Sequence, residues 1–204
     1  MMWLIVEGLD GSGKTTVIDY LYKSITKLGK NVVLTKGIGS GEVGSFLRQK
    51  ILLQQYTDDN MNEIAFPLAL MDCARDSINA LKDGNIVITD RFIGSYFAYG
   101  LDSSLKNKLV RHVEKYVHNQ LPNKYIICEL FVDSTVESCV KRIKNRGAEN
   151  FLDNSPIEKF QKINDSFKDY FDESNNLFYE INNRGSLAGL YQQLDKFINA
   201  NIII

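Results

Sequence analysis

A glycine-rich segment near the start of the chain carries the residue types that bind phosphate. Residues 8–15, Gly-Leu-Asp-Gly-Ser-Gly-Lys-Thr, match the pattern GxxxxGK[ST] at every position. The glycines allow the backbone to turn its amides towards phosphate oxygens, and the N-terminus of the helix that follows adds a positive partial charge. Lys14 is suited to contact the β- and γ-phosphates of a nucleotide, and the Thr15 hydroxyl is suited to ligate Mg²⁺. The pattern predicts a P-loop whose phosphate-binding residues are Gly8, Gly11, Ser12, Gly13, Lys14, Thr15 and Thr16.

A second glycine motif, Gly-Ser-Gly-Glu-Val-Gly at residues 39–44, fits the GxGxxG pattern of dinucleotide-binding folds. Those folds place the pattern after their first strand, with an acid about 20 residues further on. Here it follows the second predicted strand, and the first loop is already a P-loop. We therefore interpret residues 39–44 as part of a mobile substrate loop and not as a nicotinamide or flavin site.

An acid and a base stand together where another apolar strand ends. Residues 86–89 are Ile-Val-Ile-Thr, and Asp90 and Arg91 follow directly. Ligands of α/β proteins gather at the carboxyl ends of the strands. Asp90 is therefore a candidate to organise Mg²⁺, and Arg91 to hold a phosphate. A simple surface ion pair is the alternative interpretation.

A basic segment later in the chain could also reach a polyphosphate. Lys141, Arg142, Lys144 and Arg146 place four bases within six residues, with no acid among them. On a helix, Arg142 and Arg146 lie one turn apart on the same face, whereas Lys144 points elsewhere. We therefore select Arg142 and Arg146 as the phosphate-facing pair. A solvated helix face is the alternative.

The elements that must position these groups alternate between strand and helix. The strands are uninterrupted apolar runs, which is typical of a parallel sheet covered by helices on both faces. Ser134 is the expected N-cap of the sixth helix, and residues 147–155 are expected to form a polar loop. The predicted strands are residues 3–6, 31–35, 85–89, 125–132 and 177–181, and the predicted helices are residues 14–28, 43–53, 61–81, 93–100, 104–118, 134–146, 156–171 and 187–200.

Composition excludes several classes of protein. The 204 residues include 24 basic and 25 acidic side chains, giving a net charge of −1 and no bulk attraction for nucleic acid or an anionic membrane. No apolar run approaches the roughly 18 residues of a membrane span. The three widely spaced cysteines match neither a disulfide framework nor a metal site, so a reducing cytoplasm is the expected setting.

Taken in order along the chain, these motifs resemble the thymidylate kinase family of nucleoside monophosphate kinases. No NKxD motif, which reads guanine in GTPases, is present. The resemblance implies a single P-loop kinase domain over residues 1–204, with an α/β fold of three layers. Its five-stranded parallel sheet would be flanked by helices, with a short mobile lid at about residues 142–155. The segments that carry the resemblance are residues 7–16, Arg48, residues 72–75, residues 90–92 with Ser95 and residues 98–99, and residues 142–147.

The resemblance implies transfer of a phosphoryl group from ATP to dTMP, giving ADP and dTDP, with Mg²⁺ as cofactor. By family position, Asp10 would accept a hydrogen bond from the 3′-hydroxyl of the acceptor sugar and lie near the metal. Arg48 and Arg91 would hold the acceptor phosphate. Arg75 would reach the acceptor base, and Tyr99 would form a wall against the sugar and help to exclude a 2′-hydroxyl.

The remaining assignments also follow from the resemblance. Ser95 belongs to the acceptor site, and Asp90 and Thr15 to the metal site. Gly11 stands where some members carry an arginine, so the lid is expected to supply the transition-state cation. A homodimer packed through the helices after the second strand is implied. The catalytic residues would be Lys14, Asp10, Asp90, Arg91, Arg142 and Arg146.

Four departures from the family pattern affect specificity more than chemistry. Met71 stands where a phenylalanine usually stacks on thymine, although a thioether can cover a base face as well. Gly100 replaces a common glutamine near the base. Residues 36–40 lack the usual acid and proline, and Asn150 and Phe151 replace a common Asp-Arg pair.

Three hypotheses follow. The first is a dTMP kinase. The second is a retuned or broader kinase acting on another pyrimidine monophosphate, several deoxynucleoside monophosphates or a deoxynucleoside. The deoxynucleoside version is disfavoured because Asp90-Arg91-Phe92 shares only its arginine with the Glu-Arg-Ser signature of those enzymes. The third is a regulator that binds ATP without catalysis.

Overall fold

The computed structural model of the protein describes residues 1–52, 59–100, 104–121, 124–147 and 151–202. Strands and helices alternate along this part of the chain, as the apolar pattern predicts. The elements are β1 (Met2–Glu7), α1 (Lys14–Lys27), β2 (Val32–Lys36), α2 (Glu42–Leu52), α3 (Asp59–Lys82), β3 (Ile86–Asp90), α4 (Ile93–Tyr99), α5 (Ser104–Gln120), β4 (Ile126–Asp133), α6 (Val136–Arg146), α7 (Ile157–Glu173), β5 (Leu177–Asn182) and α8 (Leu187–Asn201).

The five strands form one parallel sheet in the order β2-β3-β1-β4-β5. β1 lies at the centre, where Ile5 is level with Thr89 of β3 and Glu129 of β4. The α/β fold expected from the sequence is confirmed. Because the strands are parallel, their carboxyl ends meet at one edge of the sheet, and this edge carries Glu7, Asp90 and Asp133.

The two faces of the sheet carry separate apolar cores, because successive side chains of a strand point to opposite faces. Leu4 of β1 packs in the core formed with α1 and α8, whereas Trp3 packs in the core formed with α3 and α5. A third cluster joins Leu9 of the P-loop to α6 and α7 through Phe131 and Phe167. The helices therefore fix both the sheet and the loop at its edge.

Two local predictions are wrong. The N-cap of α6 is Thr135, whose Oγ1 accepts from the Ser138 amide at 3.2 Å. The Ser134 hydroxyl instead donates to the Asn183 carbonyl and accepts from Arg142 of α6. Part of the segment expected to be a polar loop is a short 3₁₀ turn, Phe151–Asn154. The other element boundaries agree with prediction to within three residues, apart from the predicted end of α2 at Leu53, which lies outside the described residues.

Among the described helices, none combines the length and apolar character that crossing a membrane requires.

Candidate active site

The P-loop connects the buried end of β1 to the first turn of α1. Gly8, Gly11 and Gly13 have φ values of 143°, 77° and 102°, which only glycine adopts freely. A Cβ on Gly11 would lie 2.5 Å from the Cys139 carbonyl oxygen of α6. An arginine at this position, as some family members have, would therefore require α6 to move. The loop fits closely under the helix that carries Arg142.

Lys14 is buried inside the P-loop. Its Nζ donates to the carbonyl oxygens of Leu9 at 2.7 Å and Gly8 at 3.1 Å. Burial is the main cause that lowers the pKa of Lys14 to about 8, and the positive charge of Arg91 adds to it, while Asp10 acts in the opposite direction. A phosphate bound in the loop would raise the pKa of Lys14 again, since it would give this ammonium group a counter-charge.

Asp10, Arg91 and Tyr99 form one interlocked group beside the loop. Arg91 Nη2 lies 2.7 Å from Asp10 Oδ1, and the Asp10 amide donates to the Tyr99 hydroxyl at 3.1 Å. The Arg91 guanidinium also lies over the Tyr99 ring, 5.2 Å from its centroid. Burial opposes ionisation of Asp10, but Arg91 and Lys14 outweigh it and hold its pKa at about 2. Asp10 is therefore ionised, and its contacts with Arg91 and Tyr99 fix it in place.

Glu7 is a site residue that the sequence interpretation did not select. It is fully buried at the end of β1, and its Oε1 accepts from the amides of Phe92 at 2.7 Å and Ser95 at 3.1 Å. Its Oε2 accepts from the Ser95 hydroxyl at 2.5 Å. Burial raises the pKa of Glu7, although these hydrogen bonds and Arg91 act against that shift. The sequence signal was an acid at the carboxyl end of an apolar strand, directly before the P-loop.

Arg91 is held in an uncommon backbone conformation by these contacts. Its φ of 66° lies in the left-handed region, the one non-glycine residue of the described chain with this property. Its Nη1 donates to the Gly8 carbonyl and to Ser95 Oγ, both at 2.9 Å. Glu7 thus fixes the turn after β3, and the turn aims Arg91 across the P-loop.

The carboxyl edge of β3 carries groups that fit Mg²⁺. Asp90 Oδ1 and Ser12 Oγ are buried and, among the described residues, have no hydrogen-bond partner. Asp90 and Thr15 line the same cleft, of about 390 Å³, together with Lys36, whose Nζ is 3.9 Å from Asp90 Oδ2. A carboxylate and a hydroxyl are suitable ligands for Mg²⁺, which takes its other ligands from phosphates and water. No cluster of three or more His, Cys, Asp or Glu side chains suited to a metal occurs in the described part of the chain.

The residues expected to contact the acceptor are less tightly joined. Arg48 is half-buried on α2, and its Nη1 donates to the Ile38 carbonyl at 3.0 Å. Burial lowers its pKa, and Asp90, Arg91 and Asp10 are near enough to influence it. Met71 is half-buried against the core that contains Trp3.

Arg75 lies on α3 with its side chain 53% exposed, and it pairs with acids of its own helix. Its Nη2 is 2.6 Å from Asp72 Oδ1 and 3.1 Å from Asp76 Oδ1. Asp72 is itself buried, and its other carboxylate oxygen accepts from the Gly44 amide at 3.0 Å. Both acids are close to Arg75 in the sequence, Asp72 three residues before it and Asp76 directly after it, but these ion pairs were not predicted.

The two arginines selected in the basic segment have different surroundings. Arg142 Nη1 donates to the carbonyl oxygens of Gly11 at 3.0 Å and Ser12 at 3.4 Å, so this side chain lies directly on the P-loop. Arg146 Nη2 lies 3.3 Å from Asp153 Oδ2 in an ion pair, yet Arg146 still acts electrostatically on Asp10. Within the predicted lid, residues 148–150, and with them Asn150, lie outside the described residues.

Comparison with known proteins gives consistent results. The family model described as thymidylate kinase matches residues 6–189. The chain is 29% identical over 170 residues to a thymidylate kinase of Rickettsia rickettsii, covering 82% of this chain and 81% of that protein. It is 28% identical over 178 residues to a thymidylate kinase of Acinetobacter baylyi, covering 82% and 83%. A crystal structure of thymidylate kinase from Ehrlichia chaffeensis has a similar fold, with a TM-score of 0.70 and 23% identity, covering 97% of this chain and 98% of that one.

Proposed function

Because the chain belongs to the thymidylate kinase family and is a phosphotransferase, we propose that it transfers the γ-phosphoryl group of ATP to dTMP with Mg²⁺ as cofactor. An oxygen of the acceptor phosphate forms a bond to the γ-phosphorus, and the bond from that phosphorus to the bridging oxygen of ADP breaks. The products are ADP and dTDP. The observation that carries the proposal is the contact of Arg91 with both Asp10 and the P-loop carbonyl of Gly8, because it joins the donor and acceptor sides of the site.

The donor phosphates are assigned to the P-loop. The first amides of α1 have no acceptor within the helix and are free to bind phosphate oxygens. Lys14 already points inward, towards the Leu9 and Gly8 carbonyls, and would turn its charge to the β- and γ-phosphates. When bound, Mg²⁺ would neutralise charge on the donor phosphates, held by Thr15 and Asp90.

We assign the acceptor to the side of the cleft on which Asp10 and Arg91 lie. Arg91 and Arg48 would hold the acceptor phosphate, which places its attacking oxygen near the γ-phosphate. Since Asp10 stays ionised, it can accept a hydrogen bond from the 3′-hydroxyl. Tyr99 lies against Asp10 and Arg91, where it would bound the sugar, and Ser95 would keep Arg91 in position.

We assign contact with the acceptor base to Met71 and Arg75. The cations that the lid supplies are assigned to Arg142 and Arg146. Phosphoryl transfer depends mainly on positioning and on neutralising charge, and a single arginine at the transition state is worth about 10³-fold or more in rate. Arg142 is already at the P-loop. Arg146 is close enough to lower the pKa of Asp10, and its move from Asp153 to the nucleotide would accompany closure of the lid.

The second candidate function is a kinase with an altered acceptor specificity, and Met71 favours it. The thioether is half-buried and presents no fixed ring plane to a base, while Gly100 offers no side-chain amide. Another pyrimidine monophosphate could therefore fit the same site.

A direct test is to mix the protein with ATP, Mg²⁺ and one nucleoside monophosphate at a time, and to measure ADP release and the phosphorylated product. We expect dTDP from dTMP, and no product with the Lys14→Ala control. Comparable turnover of several monophosphates would support the second candidate. ATP binding with no turnover of any acceptor would refute the kinase and favour a regulator.

We also propose a homodimer formed through α2 and α3. These two helices pack against each other and expose five large apolar side chains: Val43, Phe46, Met61, Ile64 and Leu68. Apolar patches of this kind mark interaction surfaces. Light scattering after gel filtration should give a dimer for the wild type and a monomer for Phe46→Asp. Leu187→Asp, which changes an equally exposed apolar residue of α8, should remain dimeric, and a wild-type monomer would refute this proposal.

A further inference from the structure

The outer side of the P-loop is held by two side chains that come from distant parts of the chain. Where successive amides of a phosphate-binding loop converge on the ligand, the carbonyl groups between them point away from it. The Gly11 carbonyl accepts from Arg142 Nη1 at 3.0 Å. The next carbonyl, that of Ser12, accepts from the Asn183 side-chain Nδ2 at 2.7 Å and from Arg142 Nη1 at 3.4 Å. Arg142 belongs to the expected lid, whereas Asn183 follows β5 and has no role in the proposed reaction.

The main chain of Asn183 is itself fixed to the end of β4. Its amide donates to the Asp133 carbonyl at 2.7 Å, and its carbonyl accepts from the Ser134 hydroxyl at 3.4 Å. The next residue, Arg184, makes a two-pronged ion pair with the Asp133 carboxylate, with Nη2 at 2.9 Å from Oδ1. Asn183 therefore projects from a point anchored on both sides, and its short side chain has little freedom.

The fit between Asn183 and the loop is close enough to limit the loop's sequence. A Cβ on Gly13 would lie 2.4 Å from Asn183 Nδ2, and Gly13 has a φ of 102°. The absence of a side chain at Gly13 thus leaves the space that the Asn183 amide occupies. The amide reaches the carbonyl of Ser12, the residue between the two glycines whose backbone must turn.

We propose that Asn183 is a positioning residue for the donor site: its side-chain amide holds the Ser12 carbonyl outwards and so keeps the phosphate-facing amides of the P-loop aimed before the nucleotide binds. The inference rests on the proposed binding of ATP phosphates by the P-loop. Asn183 acts through the loop and not on the base of the nucleotide. Its removal should weaken every ligand that uses the loop amides, including one with no base.

The test compares two variants of Asn183 with a neighbouring control. Asn183→Ala removes the donor, and Asn183→Asp keeps the shape but places an acceptor against the Ser12 carbonyl. Asn182→Ala is the matched control, because the exposed Asn182 side chain accepts only from the Arg184 amide at 3.0 Å among its described contacts and does not touch the P-loop there. The probes are ATP with Mg²⁺ and inorganic tripolyphosphate, measured by calorimetric titration, followed by steady-state kinetics with each substrate varied.

We expect Asn183→Ala to weaken both probes by about tenfold, the effect of one hydrogen bond to a carbonyl that is then left without that donor. Asn183→Asp should weaken them more, and Asn182→Ala should bind as the wild type does. The KM for ATP should rise in the same order while the KM for dTMP stays unchanged. A role confined to stability would lower the melting temperature of the variants without separating the two KM values.

Three results would overturn the inference: unchanged binding of both probes, a loss for ATP with none for tripolyphosphate, or a wild-type protein that binds neither probe. The second of these would assign Asn183 to the base. A failure of the proposed reaction can be distinguished from a failure of this inference. A wild type that binds tripolyphosphate in an Asn183-dependent way but phosphorylates no monophosphate would refute the reaction and support the inference. Turnover of dTMP by the wild type, with a KM for ATP and a tripolyphosphate affinity that are unchanged in Asn183→Ala, would support the reaction and refute the inference.

Discussion

The two sides of the cleft are built in different ways. On the side proposed to bind phosphate (the phosphate side), which comprises the P-loop, Glu7, Arg91, Ser95 and Tyr99, charged groups are buried and bonded to one another and to backbone groups. On the side proposed to bind the base (the base side), which comprises residues 37–41, α2 and α3, Arg75 is more exposed, although its partner Asp72 is buried. The Arg91 side chain is 17% exposed, whereas that of Arg75 is 53% exposed.

This difference decides what a substitution on each side should do. A buried charge that loses its partner is left desolvated and unpaired, which costs several kcal/mol, while an exposed ion pair contributes about 1 kcal/mol or less. The phosphate side should therefore couple stability to activity. The base side should tolerate change and alter mainly which acceptor is bound, consistent with the departures from the family pattern at Met71, Gly100 and residues 36–40.

The largest effect is expected at Glu7. Glu7→Ala leaves the Phe92 and Ser95 amides without their acceptor, which should lower the free energy of unfolding by about 2–4 kcal/mol. It should also displace Arg91 and lower kcat. Glu7→Gln retains an oxygen for the two amides and should be much milder. Urea denaturation and initial rates would measure both, and equal effects of the two variants would contradict a positioning role for this carboxylate.

The pH dependence of ATP use should follow Lys14. Its pKa in the free protein is about 8, so the ammonium group loses its proton as the pH rises through that value. The kcat/KM for ATP should fall by up to about tenfold per pH unit above it. Between the pKa of Lys14 in the folded protein and the ordinary lysine pKa, the unfolded chain keeps this proton while the folded protein loses it. The unfolded state therefore binds more protons in this pH range, so Lys14 makes unfolding less favourable as the pH rises. On the base side the arginines keep their charge, so the KM for dTMP should stay constant over about pH 7–9. An ATP profile that is flat through pH 8 would contradict the assignment.

A smaller effect is expected at Arg75. Arg75→Ala removes ion pairs that are largely in water and should change the free energy of unfolding by less than about 1 kcal/mol. It should raise the KM for dTMP by about tenfold through loss of the base contact, with the KM for ATP unchanged. Asp76→Asn is the matched control, since it removes one partner of Arg75 and leaves the arginine in place. A change in the KM for ATP, or an unchanged KM for dTMP, would show that Arg75 does not contact the acceptor base.

The smallest effect is expected at Met71. Met71→Phe restores an aromatic ring, and such contacts contribute about 0.5–1.5 kcal/mol beyond apolar burial. We expect the KM for dTMP to fall about threefold and the preference for dTMP over dUMP to rise by a similar factor. Competition assays with mixed monophosphates would show this. A loss of dTMP turnover would mean that the base does not lie against this side chain.

The sequence predicted the elements of local origin and missed the contacts that the fold makes between distant residues. The P-loop and the alternation of strands and helices follow from short patterns, and the structure has both. Glu7 bonds to Phe92 and Ser95, 85 and 88 residues away, so no local pattern could reveal its partners. Asn183 reaches Ser12 across 171 residues, only because β5 and β1 end at the same edge of the sheet. Arg142 was selected to face a polyphosphate, which stays a prediction; its contacts with the Gly11 and Ser12 carbonyls could not be predicted.

Amide hydrogen exchange compares the two sides most directly, because it reports local opening at each backbone group. In the protein without nucleotide, the amides of Phe92 and Ser95, which bond to buried Glu7, should exchange slowly. Those of residues 38, 39 and 41–43 should exchange fast and become slow when dTMP is added. Equal protection of both segments before any nucleotide is present would contradict the distinction between a preformed phosphate side and an adaptable base side.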